Sequence, residues 1–214
     1  MNRPVAVVRR LVGHELRLMT SLVLWAARRR HGVGPGERPF GHARDQGAPM
    51  HGFAFVCLVE TLAVSYLLKD RPAMHAVMLF VDVYTVVFVI GLHAASVTRP
   101  HVLSAQALRL RQAGHVDLLI PLDRIAAVRH ELLFTHEKRD GVLDLTVAAQ
   151  TSVTLELSEP VTFTGLLGRE RPVRVVRCHA DDALAFAGAL REAVTREAVT
   201  RERTAPSPPP GRPG

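Results

Sequence analysis

Two carboxylates stand alone in long apolar runs. Glu60 lies within Gly52 to Leu68, and Asp82 within Ala73 to Val97. The charged stretch Lys69 to Pro72 separates the runs; counted from Arg71, Glu60 is eleven residues before and Asp82 eleven after. If the runs are antiparallel helices rising about 1.5 Å per residue, both carboxyls lie about 16 Å from the turn. Two carboxyl groups at one level in a low-dielectric medium cannot cheaply both ionise. At least one is expected to be protonated or hydrogen-bonded. Three roles fit that chemistry: a proton- or cation-handling site, a polar clasp with Thr61, Tyr84 or Thr85, or a contact between protomers.

The histidines are the next candidates. His51 and His93 come out nearly level at the far end of the two runs, with His42 and His101 in the flanking segments. Their spacing fixes no ligand geometry, so no metal is expected. In "HELLFTHEKRD", His130 to Asp140, the second histidine follows the first by six residues. A zinc-protease motif needs four, to put both on one helical face, so this stretch reads as a polar loop between strands. There is no Gly-rich phosphate loop with Lys, no serine elbow and no CxxC pair. No enzyme, catalytic residue or cofactor is therefore expected. Cys57 and Cys178 fall in very different segments and support no disulfide framework.

Arginine supplies the remaining chemistry. The chain has 25 Arg against 2 Lys, which with abundant Ala, Val and Pro indicates a GC-rich, bacterial coding sequence. The +7 charge is uneven: residues 1–50 carry +6 and residues 99–214 carry +2. A basic arm beside apolar runs points to an anionic membrane surface. Arg28, Arg29, Arg30, Arg99 and His101 flank the apolar runs and are candidate ligands for lipid headgroups. Arg109 and Arg111 are expected on the solvent face of a strand. Nucleic acid is not an expected partner, since aromatics are few and no binding motif is present.

These groups must be positioned by five segments. Residues 1–30 read as an amphipathic helix, with Val8, Leu11, Val12, Leu16, Met19, Leu22 and Val23 at three- and four-residue spacings. Its unbroken apolar run is too short to span a bilayer, and Arg28 follows where a leader would have a cleavage site, so no signal peptide is expected. It lies in the membrane interface, or else packs on the protein's own soluble part. Residues 31–51, rich in Gly and Pro, read as a linker. Residues 52–98 read as a transmembrane hairpin with spans at about 52–68 and 73–97. Arginines cluster before the first span and after the second, which puts both termini in the cytoplasm of a bacterial cell.

From residue 99 the period changes to two. Leu108 and Leu110, then Val116, Leu118 and Ile120, flank a turn at Gln112 to Gly114. Further strands are expected at 125–131, 142–148, 152–157, 160–164 and 173–179. Asp181 or Asp182 can cap a final helix with an apolar stripe Leu184, Ala187, Leu190, Val194 and Phe186 beside it. Residues 204–214, "TAPSPPPGRPG", read as a disordered tail.

The run "LRLR", the turn, "IPLDRIAAVR" and the closing helix, following two spans and Arg99-Pro100-His101, resemble bacterial membrane proteins with a pleckstrin-homology-like cytoplasmic domain. The resemblance covers residues 99–203. It implies a PH-like bent sheet or partial β-barrel closed by a C-terminal helix, with a scaffold or sensor character and no transferred ligand. The expected protein is thus membrane α plus soluble β: an interfacial helix and a two-helix hairpin carrying a cytoplasmic domain. Its expected role is a non-enzymatic scaffold partnered by the lipid bilayer and by a further copy or another membrane protein. The alternatives are a small transport or sensing component using Glu60 and Asp82, and an anionic-lipid sensor.

Overall fold

The structure is a computed structural model that describes residues 3–137 and 139–204. The expected tail beyond Thr204 lies outside the described residues. Three helices come first: α1 (Arg3–Ala26), α2 (Gly47–Leu67) and α3 (Pro72–Thr98). Proline suits the first position of α3, where its missing N–H breaks no helical bond. At the other end Pro100 restricts the residue before it, and Arg99 leaves the helix at φ −120° and ψ 74°. By length and composition α2 and α3 are each apolar enough to cross a membrane.

The two long helices differ in how they are covered. No residue of α2 is buried, whereas α3 is buried at Gly91, Ala94, Ala95, Ser96 and Thr98. The cover comes from α1, which runs parallel to α3. Glu15 meets Tyr84, His14 packs edge-on against Phe88, and Trp25 against His93. Leu18, fully buried, sits over Gly91, where a Cβ would lie 3.4 Å from the leucine Cβ. Burying a leucine there contributes about 2 kcal/mol. Val5, Val8, Val12, Leu16 and Val23 on another face of α1 remain exposed. One face of the helix thus packs on the protein and a second, apolar face is open.

The β part is expected as a bent sheet or partial β-barrel closed by a helix. It forms two four-stranded sheets that do not close into a barrel. The first joins β1 (Arg38–Phe40), β2 (His101–Leu103), β3 (Ala107–Gln112) and β4 (Val116–Pro121) in chain order, all antiparallel. The second contains β5 (Ile125–Leu133), β6 (Val142–Leu145), β7 (Thr151–Thr164) and β8 (Glu170–Cys178), in the order β5-β7-β8-β6, with β6 parallel to β8. One hydrophobic core serves both sheets and α4 (Ala183–Thr204). Leu108, Leu110 and Ile120 from the first sheet meet Leu155, Val173 and Val176 from the second, and Phe186 and Leu190 from the helix.

Several local expectations are corrected. The strands expected at 152–157 and 160–164 are one strand, β7, with a register shift between Glu156 and Val161. Pro160 falls in that gap and has no N–H for a ladder, so the strand breaks its pairing without ending. β5 takes in His130 and Glu131, as the strand expected over 125–131 has it, and runs on through Leu132 and Leu133 of the stretch otherwise read as a loop. The strand expected over 142–148 stops at Leu145, because Ala148 and Ala149 take positive φ in a turn closed by Val147 and Gln150. Asp182 is the cap of α4, its Oδ1 accepting the Ala185 N–H at 3.0 Å. Leu184 is 70% exposed, and Phe186 takes the core position instead. Arg111 is buried, not on a solvent face: its guanidinium donates to the carbonyls of His31 and Gly32.

That last contact changes the reading of the linker. Residues 31–46 are held along the domain. β1 completes the first sheet, Arg111 grips His31 and Gly32, and Asp181 Oδ1 accepts the Arg44 N–H. The strap passes closest at Gly41, where a Cβ would lie 2.5 Å from Asp181 Oδ2 and the carboxylate would have to move aside. The hairpin and the domain are thus joined twice, through this strap into α2 and through α3 into β2.

Candidate functional site

The hairpin places its polar groups in register. Near the turn, His75 Nε2 and Ser65 Oγ are 3.1 Å apart. At the other end the rings of His51 and His93 are 5.9 Å apart. Interpolation between these two cross-helix contacts puts Glu60 opposite Asp82. Their surroundings differ. Asp82 is half-buried on the stripe His75–Asp82–His93 that faces α2, whereas Glu60 is exposed. No hydrogen bond or ion pair reaches either carboxyl among the described residues. The three hydroxyls near them are committed elsewhere. Thr61 donates to the Cys57 carbonyl, Thr85 to Val81 and Tyr84 to Glu15.

At the opposite end of the helices the arginines divide into exposed and captured sets. Arg28, Arg29 and Arg30 are exposed and, with Trp25, Val97 and Thr98, line a depression of about 460 Å³. Arg28 ends α1 in the left-handed region at φ 53°, with Arg28 N–H bonded to Trp25 O and Arg29 N–H to Leu24 O. Glycine is the usual residue at that helix-end position, and an arginine there costs about 1 kcal/mol. Arg99 is half-buried, donates to Ser21 Oγ at 3.2 Å, and has its pKa lowered by burial and by Arg17 and Arg111. His101 is 1% exposed and both its ring nitrogens are occupied, so it presents nothing to a headgroup.

A second basic depression, about 450 Å³, lies between α1 and the domain. Arg9, Arg10, Arg17, His115 and Asp117 line it. Arg10 donates to Gly165 O in the β7–β8 turn, and Arg17 to Gly114 O in the β3–β4 turn. Asp117 is held by a two-point ion pair with Arg109 at 2.6 and 2.7 Å. Burial opposes the Asp117 charge, but the Arg109 hydrogen bond and neighbouring guanidiniums outweigh it and hold the carboxyl below its ordinary range.

The feature that spacing did not reveal is a buried histidine stack. His42, from the strap, lies on His101 of β2 with ring centroids 4.4 Å apart and planes 13° from parallel. Arg111 N–H donates to His101 Nδ1, so Nε2 carries the proton and donates to His179 O at 3.0 Å. Burial, then the neighbouring His42, push the His101 pKa well below its ordinary value. His42 is fully buried with both ring nitrogens unpartnered among the described residues. Burial, with His179 adding to it, lowers its pKa to about 4. The stack is therefore two neutral imidazoles at neutral pH. His179 faces it, with Asp45 Oδ2 3.3 Å from its Nε2. Among the described residues no group of three or more His, Cys, Asp or Glu side chains could hold a metal ion.

No family model, curated protein or solved structure matches this chain.

Proposed function

We propose that this protein is a membrane-tethered, non-enzymatic interaction module of a bacterial cytoplasmic membrane, with a PH-like domain displayed on the cytoplasmic side. The observation that carries the reading is the course of α3. Its first eighteen or so residues are largely exposed and apolar, with Tyr84 and Phe88 touching α1, and its last two turns are buried against α1 and the first sheet. At about 1.5 Å per residue the exposed part is about 27 Å long, close to a hydrocarbon core. One unbroken helix then links the span to the domain core, and the strap supplies a second link. That geometry suits a rigid platform that holds a domain at a fixed distance from the bilayer. The strained Arg28 and its exposed neighbours Arg29 and Arg30 favour a contact with anionic headgroups, each about 1 kcal/mol close to the surface.

The test is topology and partners together. The full chain should stay with membranes through alkaline extraction, and a reporter fused after Gly214 should be active only inside the cell. Cross-linking in membranes followed by affinity purification should then recover a stable partner through the domain. Extraction of the unmodified chain into the soluble fraction would sink the proposal.

A further inference from the structure

Glu60 is placed where one chain cannot satisfy it. The half-buried positions Ala54, Cys57, Thr61 and Val64 mark the face of α2 against α3. At 100° per residue Glu60 lies roughly 80° around the helix from the centre of that face. Its own face carries Phe53, Val56, Glu60, Ala63 and Leu67, all exposed and spaced three, four, three and four. That is the spacing of a helix-pairing seam, with one polar residue at its centre and a small residue beside it. Depth makes the carboxyl decisive. Midway along an apolar helix, neither a carboxylate nor a neutral acid is stable against hydrocarbon without a hydrogen-bond partner.

We propose that α2 pairs with α2 of a second copy of this chain across a two-fold axis along the membrane normal, and that the two Glu60 carboxyls hydrogen-bond to each other at the centre of the seam. This rests on the membrane reading above. A second copy is the favoured occupant because a two-fold axis in that direction places each residue at the same depth as its symmetry mate. Of the other carboxyls near that depth among the described residues, Asp82 faces inward between α2 and α3 and Glu15 already accepts the Tyr84 hydroxyl. A protonated Glu60 donates its O–H to an oxygen of the partner's Glu60, so neither group meets lipid unpaired. Phe53 and Leu67 close the two ends of the seam, and Ala63 lets the helices approach beside the carboxyls.

The experiment is disulfide cross-linking of the full chain in native membranes, in a Cys57→Ala background. Ala63→Cys should give a covalent dimer on mild oxidation. Leu62→Cys, about 160° around the helix from Glu60, should not. In the same membranes Glu60→Gln, which can still exchange hydrogen bonds with its mate, should keep the Ala63→Cys cross-link. Glu60→Val should weaken the dimer about tenfold, the effect of one hydrogen bond of roughly 1–2 kcal/mol between membrane helices. If Ala63→Cys cross-links no better than Leu62→Cys while the protein stays in the membrane, the seam is refuted and the membrane reading survives. If the protein is not retained in membranes, both fall.

Discussion

Replacing His42 by Phe tests the buried stack directly. In the folded protein His42 takes up a proton only near pH 4, against 6.5 for an ordinary histidine. Below pH 6.5 the unfolded chain therefore binds a proton that the folded chain does not. Unfolding becomes progressively easier as pH falls, by about 1.4 kcal/mol per unit, and the effect levels off below about pH 4. The whole interval amounts to about 3 kcal/mol. For a chain of this size that is a fall in Tm of about 6–12 °C. The groups facing His42 or its stack are His101, His179, Asp45 and Asp181. His101 adds a loss of the same sign. Phe keeps the ring against His101 and removes the titration and the two unpartnered nitrogens. Near-UV circular dichroism melts in mild detergent from pH 7 to pH 4.5 should show a steep fall in Tm for the parent and a shallower one for His42→Phe, which should also melt higher at pH 5. Equal falls for the two proteins would refute the reasoning, since His42 would then have to titrate in contact with water.

Other contacts make further predictions. Arg111→Ala removes two bonds to the His31 and Gly32 carbonyls from a buried side chain and should destabilise by about 2–3 kcal/mol; limited proteolysis should show faster cleavage over residues 31–37. Arg28→Gly relieves the left-handed backbone and should stabilise α1 by about 1 kcal/mol, read as a higher Tm, while weakening binding to anionic vesicles. Cys178 is fully buried and burial pushes its thiol up to about 12. It should resist a maleimide in the folded protein and react on unfolding; rapid labelling of the native chain would mean that β8 opens. Leu155→Ala, at the centre of the core shared by both sheets, should cost about 3–4 kcal/mol by chemical denaturation.

Much of the fold could be read from local pattern. The two apolar helices, the compact turn ending at Pro72, the β3–β4 hairpin and the Asp-capped final helix each follow from spacing and end residues within a few positions. Errors occurred where a neighbour decided. A three-residue strand at Arg38–Phe40 has too little pattern to stand out from a Pro- and Gly-rich linker, and it exists because β2 offers an edge. β7 read as two strands because Pro160 breaks a run, although pairing with β8 resumes beyond it. Arg111 alternates like a solvent-facing residue, yet the strap lies over it and buries it. Among the candidate groups, Glu60 and Asp82 were visible as charges in apolar runs. The His42–His101 stack was not, because its members lie in separate segments with no shared spacing.

By itself the sequence determined which segments are helical, which faces are apolar and at what depth along the hairpin each polar group falls. Those properties depend on hydropathy and on the rise and turn of a helix, and they need no partner. Only the tertiary structure decided which side of α2 carries Glu60 away from α3, that the last turns of α3 are covered by α1, and that His42 and His101 meet out of water. Those outcomes depend on how separate segments cover one another. Burial from a distant neighbour turns an ordinary imidazole into one that stays neutral, and the lack of such cover leaves a carboxyl on the outer face of an apolar helix.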